Sequence, residues 1–372
     1  MIENTPQQIA PLVTGGAFLL AFIFGAVANK TDFCTMGAVS DWVNMGDFNR
    51  MRMWLLAIAV ALLGSSALHL AGAIDLSKSI YPGPNFTWLS YIVGGFLFGV
   101  GMTLGSGCGS KTLIRIGGGN LKSLIVYVFL GIAAYMTLRG VLGAFRVGVL
   151  EKAVVVLPGG QDLPALLAAH FNVGKTPLIL TVASVIGGGL AAFVYSSKEF
   201  RSNMNYTLGG VVTGLVVAAG WYVSGHIGHL AEDPNTLQEA FVATNTGRME
   251  SFSFVAPLAY TLDYLMFWTD KSRIVTYGIA SAAGVIAGSA AYALATRKFR
   301  WEGFRDAEDT ALHIIGGLLM GFGGICALGC TIGQAITGFS TLALGSIITF
   351  VSIVAGSAAT MKWQYWRISR QG

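Results

Sequence analysis

From Thr310 to Met361 the chain runs 52 residues without an Asp, Glu, Lys or Arg, and His313 is the only histidine in that stretch. A helical crossing of a bilayer core takes about 20 apolar residues. The run is therefore too long for one span and right for two spans joined by an uncharged connector. It fixes the fold class as an all-α polytopic membrane protein. Seven further runs each suffice for one crossing: Leu12–Asn29, Met53–Ile74, Trp88–Ser110, Ser123–Leu138 running on past Arg139, Thr176–Ser197, Ser202–Gly225 and Ile274–Thr296. The sequence thus predicts nine transmembrane helices. Only 11 % of residues are charged, against roughly 25 % in soluble domains. That balance excludes a disordered chain, a disulfide-framed secreted domain and an ordinary soluble enzyme. The net charge of +5 is spread too thinly to point to nucleic acid. With no basic segment and cleavage site at the N-terminus, the first span is expected to be retained rather than removed as a signal.

Loop charge orients the spans, because short cytoplasmic loops are enriched in Lys and Arg. Ser251–Thr269 is apolar but holds Pro257 and Asp263. With that segment kept out of the count, 15 Lys and Arg residues fall on one side and 7 on the other. Counting it as a span would turn the tally into 10 against 12 and erase the bias. Nine spans are therefore expected, with the N-terminus outside and the C-terminus cytoplasmic. Ser251–Thr269 then reads as re-entrant or interfacial.

An internal repeat appears at an offset of 222 residues. Gly94, Gly95, Gly99, Gly101, Gly107 and Cys108 fall on Gly316, Gly317, Gly321, Gly323, Gly329 and Cys330. Gly15-Gly16 also resembles Gly209-Gly210. The expected organisation is a first four-helix repeat over 1–145, a connector and linking span over 146–201, and a second repeat over 202–372. An odd linking helix makes the second repeat inverted, the arrangement of many transporters, whose sites lie near the midplane between repeats.

Three cysteines follow long apolar helices: Cys34 in Asp32-Phe33-Cys34-Thr35-Met36-Gly37, Cys108 in Ser106-Gly107-Cys108-Gly109-Ser110, and Cys330 in Leu328-Gly329-Cys330-Thr331. The uncharged connector around Cys330 cannot be an ordinary solvated loop. It reads as a helix that descends, breaks at glycine and returns, which is tolerated where backbone is buried or lines a cavity. Gly107, Gly109 and Gly329 suit such breaks because glycine accepts positive φ and close approach. A short helix starting just past each cysteine would aim free amides at the thiol and make an anion site. Ser110, Thr35 and Thr331 would add hydroxyl donors. A single cysteine in an apolar helix is ordinarily a small buried hydrophobe; two at matched repeat positions, each after glycine, favour a functional role. Cys326 is one turn before Cys330 and has no cysteine mate, which favours packing. The few cysteines in apolar surroundings do not suggest disulfides.

These motifs together resemble the YeeE/YedE family of sulfur-compound transporters, over nearly the whole chain. The resemblance implies a bacterial inner-membrane importer of thiosulfate or a related sulfur anion, with two inverted halves forming an hourglass around short inward helices. It implies that Cys34, Cys108 and Cys330 line the path and pass the anion on by S–H···S hydrogen bonds, toward a cytoplasmic sulfur-carrier protein. The chain departs from the family in Cys326, in its long Gly143–Lys175 connector and in having no fused carrier domain. A polarizable terminal sulfur suits thiol donors better than a hard oxyanion does. Two readings compete: a membrane sulfur-transferase or thiol oxidoreductase that uses Cys326 with Cys330, and a sulfur-compound sensor.

No cofactor, metal or nucleotide motif is expected. His226 and His229 are spaced too loosely for a metal site. Arg248 and Glu250 could pair at an entrance, Arg139 could attract anions or snorkel to the interface, and Gly117-Gly118-Gly119-Asn120 reads as the end of a short helix. Trp363, Tyr365 and Trp366 with Lys362 and Arg367 read as an interfacial anchor in the lipid bilayer.

Overall fold

The spans form where charge-free sequence lets a helix satisfy its own backbone, the condition for crossing a bilayer. A computed structural model describes residues 5–234 and 236–370. Its first part holds α1 (Pro6–Thr31), α2 (Thr35–Ser40), α3 (Asn49–Leu70), α4 (Trp88–Leu104), α5 (Gly109–Gly117) and α6 (Leu121–Arg139). The middle holds α7 (Val141–Phe145), α8 (Leu163–Phe171), α9 (Lys175–Tyr195) and α10 (Lys198–Ser202). The last part holds α11 (Met204–Tyr222), α12 (Ala256–Met266), α13 (Tyr277–Ala295), α14 (Ala307–Cys326) and α15 (Leu344–Ser369). Among the described residues nine helices are long and apolar enough to cross a membrane: α1, α3, α4, α6, α9, α11, α13, α14 and α15. Each falls on one of the charge-free runs. Two small antiparallel pairs, Asn85–Phe86 with Val155–Val156 and His229–Leu230 with Ala240–Phe241, tie loops together.

Helix packing is reciprocal between the two halves. α4 packs on α15 as α14 packs on α6, and α1 packs on α13 as α11 packs on α3. The α4–α14 contact carries the same exchange in its atoms. A Cβ added at Gly94 would lie 2.7 Å from the Gly323 carbonyl oxygen, and one added at Gly323 would lie 2.5 Å from that of Gly94. Gly101 and Gly316 stand in the same relation, at 2.7 Å each way. Small residues let the two backbones touch, which is how helices associate where lipid removes the hydrophobic drive. The glycine excess is spent largely on such contacts. α9 packs on α3 alone among the long helices and turns most of its surface away from the protein.

Within Ser251–Thr269, residues 251–255 are irregular and largely buried, and α12 follows with 11 residues. At 1.5 Å per residue α12 reaches about 16 Å, too short to cross. The segment is not a tenth span.

Candidate functional site

Three helices end in one and the same turn before a cysteine. Asp32, Ser106 and Leu328 adopt left-handed backbone at φ 51°, 57° and 57°. The following amide then reaches back to the carbonyl five residues earlier: Phe33 to Ala28 at 3.1 Å, Gly107 to Met102 at 2.8 Å, and Gly329 to Gly324 at 2.7 Å. This is the Schellman cap, which satisfies a carbonyl orphaned at the helix end. The cysteine comes next in each case. Cys34 caps α2 and Cys108 caps α5, whereas Cys330 leads through Thr331 into a π-helical stretch, Ile332–Gly338.

The turns correct the reason given for their glycines. Positive φ falls on Asp32, Ser106 and Leu328, and not on Gly107 or Gly329. The capping bonds hold the left-handed residue, and Arg115 also donates to the Ser106 carbonyl at 2.6 Å. Only at Gly109 among these is glycine needed for close backbone approach: a Cβ there would sit 2.3 Å from the Phe254 carbonyl oxygen.

All four cysteines are buried free thiols. The Cys34 sulfur accepts the Gly37 amide at 3.4 Å. The Cys330 sulfur accepts two amides, Phe254 at 3.2 Å and Gly333 at 3.4 Å. The Cys108 sulfur lies 3.3 Å from the Ser110 hydroxyl. Phe254 thus presses its carbonyl against Gly109 and gives its N–H to Cys330, joining the two matched turns. The Thr35 and Thr331 hydroxyls beside the cysteines are buried without a hydrogen-bond partner. Cys326 stands apart, with its Cβ against Gly94 of α4 and its carbonyl accepting the Ser90 hydroxyl at 2.7 Å.

Two cavities flank these turns. One, of about 350 Å³, is lined by Tyr81, Arg146, Arg248, Glu250, Ser253 and Gly329 among others, and touches the start of α13 at Tyr277. The other, of about 380 Å³, contains Cys34 and is lined by five basic side chains, Arg50, Lys111, Arg115, Lys298 and Arg300, against Asp32 and Glu302. α13 separates them. Its 19 residues span roughly 28 Å, so the cavities open at opposite ends of a membrane-length helix. Between them aromatic rings run from Trp54 to Phe33 at 4.5 Å, Phe33 to Phe24 at 6.3 Å, and Phe24 to Phe254 at 5.9 Å.

Glu250 lines the first cavity, with its carboxylate accepting the Thr246 amide at 2.9 Å and hydroxyl at 2.7 Å. Burial pushes its pKa above the usual carboxylate range against those bonds. Arg248 and Glu250 share the cavity, but Arg248 donates to the Ser79 carbonyl at 3.4 Å rather than to Glu250. Arg139 lines a neighbouring cavity. His226 contacts the Ala73 carbonyl and His229 contacts Glu239. No cluster of metal-binding side chains occurs among the described residues. Gly118 caps α5 as read. Phe254 and Ser253 were missed as site residues, although they lie in the apolar Ser251–Thr269 segment whose proline and aspartate had already marked it as unusual.

A sequence model of the "Sulphur transport" family matches residues 30–359, a range that takes in all three cysteine turns. Among curated proteins, the thiosulfate transporter TsuA of Escherichia coli is 25 % identical over 360 residues, covering 92 % of this chain and 87 % of that protein. The thiosulfate transporter TsuA of Spirochaeta thermophila is 25 % identical over 361 residues, covering 94 % and 98 %. Nine membrane-length helices among the described residues, paired cysteine turns and a family match over most of its length together place this chain in the sulphur transport family.

Proposed function

We propose that the protein imports thiosulfate or a closely related sulfur-containing anion across the bacterial inner membrane. In this reading the two halves are inverted repeats, the cavity beside Glu250 faces outside, and the basic cavity at Cys34 faces the cytoplasm. The observation that carries it is the set of three buried thiols, each presented by a Schellman turn, two of them at matched positions, with Gly329 beside Cys330 lining one cavity and Cys34 lining the other. At Cys330 an anion meets a weak S–H donor and a helix end instead of a buried basic side chain, which is expensive at membrane depth. A thiosulfate terminal sulfur is soft and polarizable, so thiols serve it better than they serve sulfate. Cys330 and Cys108 act as successive relay points and Cys34 as the last, where five basic side chains draw the anion inward. A cytoplasmic sulfur-carrier protein would receive it. Both TsuA relatives bear names that fit this reading.

The test is uptake of labelled thiosulfate by reconstituted vesicles carrying the wild type, Cys108→Ala or Cys330→Ala. Uptake by the wild type and its loss in both variants is the expected result. Full activity in either variant sinks the relay, and a stable persulfide on Cys330 after turnover favours a sulfur-transferase instead.

A further inference from the structure

Thiosulfate has two chemically different ends, and the cysteine turns suit only one. The sulfonate end carries three oxygens that want N–H and O–H donors, yet no Arg or Lys lines the turns at Cys108 and Cys330 on their Glu250 side apart from Arg146 and Arg248 at the cavity wall. Donors of that kind are gathered elsewhere. A cavity of about 230 Å³ is lined by Arg139, Asn245, Asp263, Arg273 and Thr276. It shares Asn245 and Tyr260 with the cavity beside Glu250, so the two adjoin.

Its polar atoms are unusually idle. Asn245 Nδ2 and the Thr276 hydroxyl are buried with no hydrogen-bond partner, as is the acceptor Asp263 Oδ1, while Arg273 Nε lies 3.7 Å from the Asp270 carboxylate. Thr276 is 6 % exposed and stands at the N-cap of α13, but its side chain caps nothing. The first-turn amides of a helix lack intrahelical partners and favour an anion; at α13 the Tyr277 amide donates to the Ala243 carbonyl at 2.8 Å, and Thr276 and Ile279 of that end line the same cavity. Arg139 makes no ion pair or hydrogen bond among the described residues. Arg273 is largely neutralised, at 2.9 Å from Asp263 and 3.7 Å from Asp270. The exposed Arg139 guanidinium is thus left without an ion-pair partner, beside two unused donors. Buried donors such as Asn245 Nδ2 and the Thr276 hydroxyl are rarely left so, and a bound oxyanion would satisfy both together.

We propose that this cavity is a capture site for the sulfonate end of the anion, upstream of the cysteines; the inference rests on the transport reading above. Arg139 supplies the charge, and Asn245 and Thr276 supply directed donors. Release across the shared Asn245–Tyr260 wall delivers the anion to the cavity that reaches Gly329.

The test uses reconstituted vesicles of the whole chain with labelled thiosulfate, and methanesulfonate as a probe that has the oxygens without the terminal sulfur. Arg139→Gln and Thr276→Val should each raise the half-saturating thiosulfate concentration about tenfold, the scale of one lost hydrogen bond to a charged ligand, with the maximal rate within about twofold of wild type. Thr276→Ser should behave as wild type, because it keeps the hydroxyl. Methanesulfonate should compete with uptake by the wild type and lose that effect in Arg139→Gln. An unchanged half-saturating concentration in both variants, or no competition by methanesulfonate, overturns the capture site. If the wild type takes up no thiosulfate, the transport reading fails separately. Calorimetric binding of methanesulfonate to purified wild type, against Arg139→Gln, then decides the capture site by itself.

Discussion

The turn after α4 and the turn after α14 share a backbone but treat their sulfur differently. Ser106 and Leu328 take the same left-handed φ of 57°, and Gly107 and Gly329 make the same capping bond. One residue later the halves diverge. Cys108 opens a regular helix and its sulfur meets a hydroxyl at 3.3 Å. Cys330 opens a π-helical stretch and its sulfur accepts amides from both Phe254 and Gly333. With its lone pairs engaged, the Cys330 thiol is left to donate its proton outward. The Cys108 thiol faces a group that donates or accepts equally well. Repetition therefore fixes where a thiol sits, and the residues just past it fix what the thiol offers.

The largest expected effect removes that offer. Cys330→Ala should lower thiosulfate uptake roughly 10- to 100-fold, the scale of one hydrogen bond to an anion in a dry site. Cys108→Ala should do the same, but Cys108→Ser should recover more activity than Cys330→Ser. A serine oxygen at 108 joins an existing hydroxyl pair, whereas at 330 it must replace a larger sulfur between two fixed amides. Equal recovery at both positions breaks the distinction.

The glycines sharpen it next. Gly109→Ala drives a methyl to 2.3 Å from the Phe254 carbonyl oxygen and moves the residue that holds Cys330. A loss of about 1–3 kcal/mol in stability, the usual scale of overpacking, should come with reduced uptake. Gly329→Ala meets nothing closer than 3.4 Å and its φ is not left-handed, so it should stay near wild type. Thermal melting in detergent, paired with uptake, checks both. A tolerated Gly109→Ala would mean that Phe254 does not couple the two turns.

A smaller effect separates the two cavities. Glu250 faces the proposed entry cavity together with Arg146, Arg248, Tyr81, Tyr260 and Tyr277. Burial raises its pKa above the ordinary carboxylate range. As pH falls through that raised value the carboxylate becomes neutral and stops repelling the anion, so uptake should rise on outside acidification. An increase of about fivefold corresponds to ~1 kcal/mol of screened repulsion. Glu250→Gln should remove this rise while keeping the high rate. A pH profile identical to wild type in that variant rules out the carboxyl as its source.

The spans were legible because charge cannot be hidden in a bilayer, and every charge-free run carries its helix. The glycine repeat was legible too, and it marked the α4–α14 contact through Gly94, Gly101, Gly316 and Gly323. The short helices past Cys34 and Cys108 followed from motif and position. The rest depended on contacts distant in sequence. Phe254 reaches Cys330 across 76 residues, and no local pattern records a backbone amide's destination. Left-handed backbone at Ser106 and Leu328, neither a residue that favours it, is imposed by the capping bonds and not by their side chains. The capture cavity draws on α6, the Asn245 loop, α12 and the start of α13, so its donors look unrelated along the chain.

Cys326 gives the smallest expected effect and the sharpest contrast with its neighbour one turn later. Both are buried thiols near one helix end, so proximity alone would assign them one role. Their contacts differ in kind. What touches Gly94 is the Cys326 Cβ, and what the Ser90 hydroxyl bonds is the Cys326 carbonyl; alanine keeps both. Cys326→Ala removes only a sulfur, a loss of about 1 kcal/mol or less in packing, and should leave uptake within about twofold of wild type. Measured beside Cys330→Ala in the same vesicles, it asks whether the relay depends on a thiol held by amides or on any thiol nearby. Loss of uptake in Cys326→Ala would extend the path one turn up α14 and end the reading of that residue as packing.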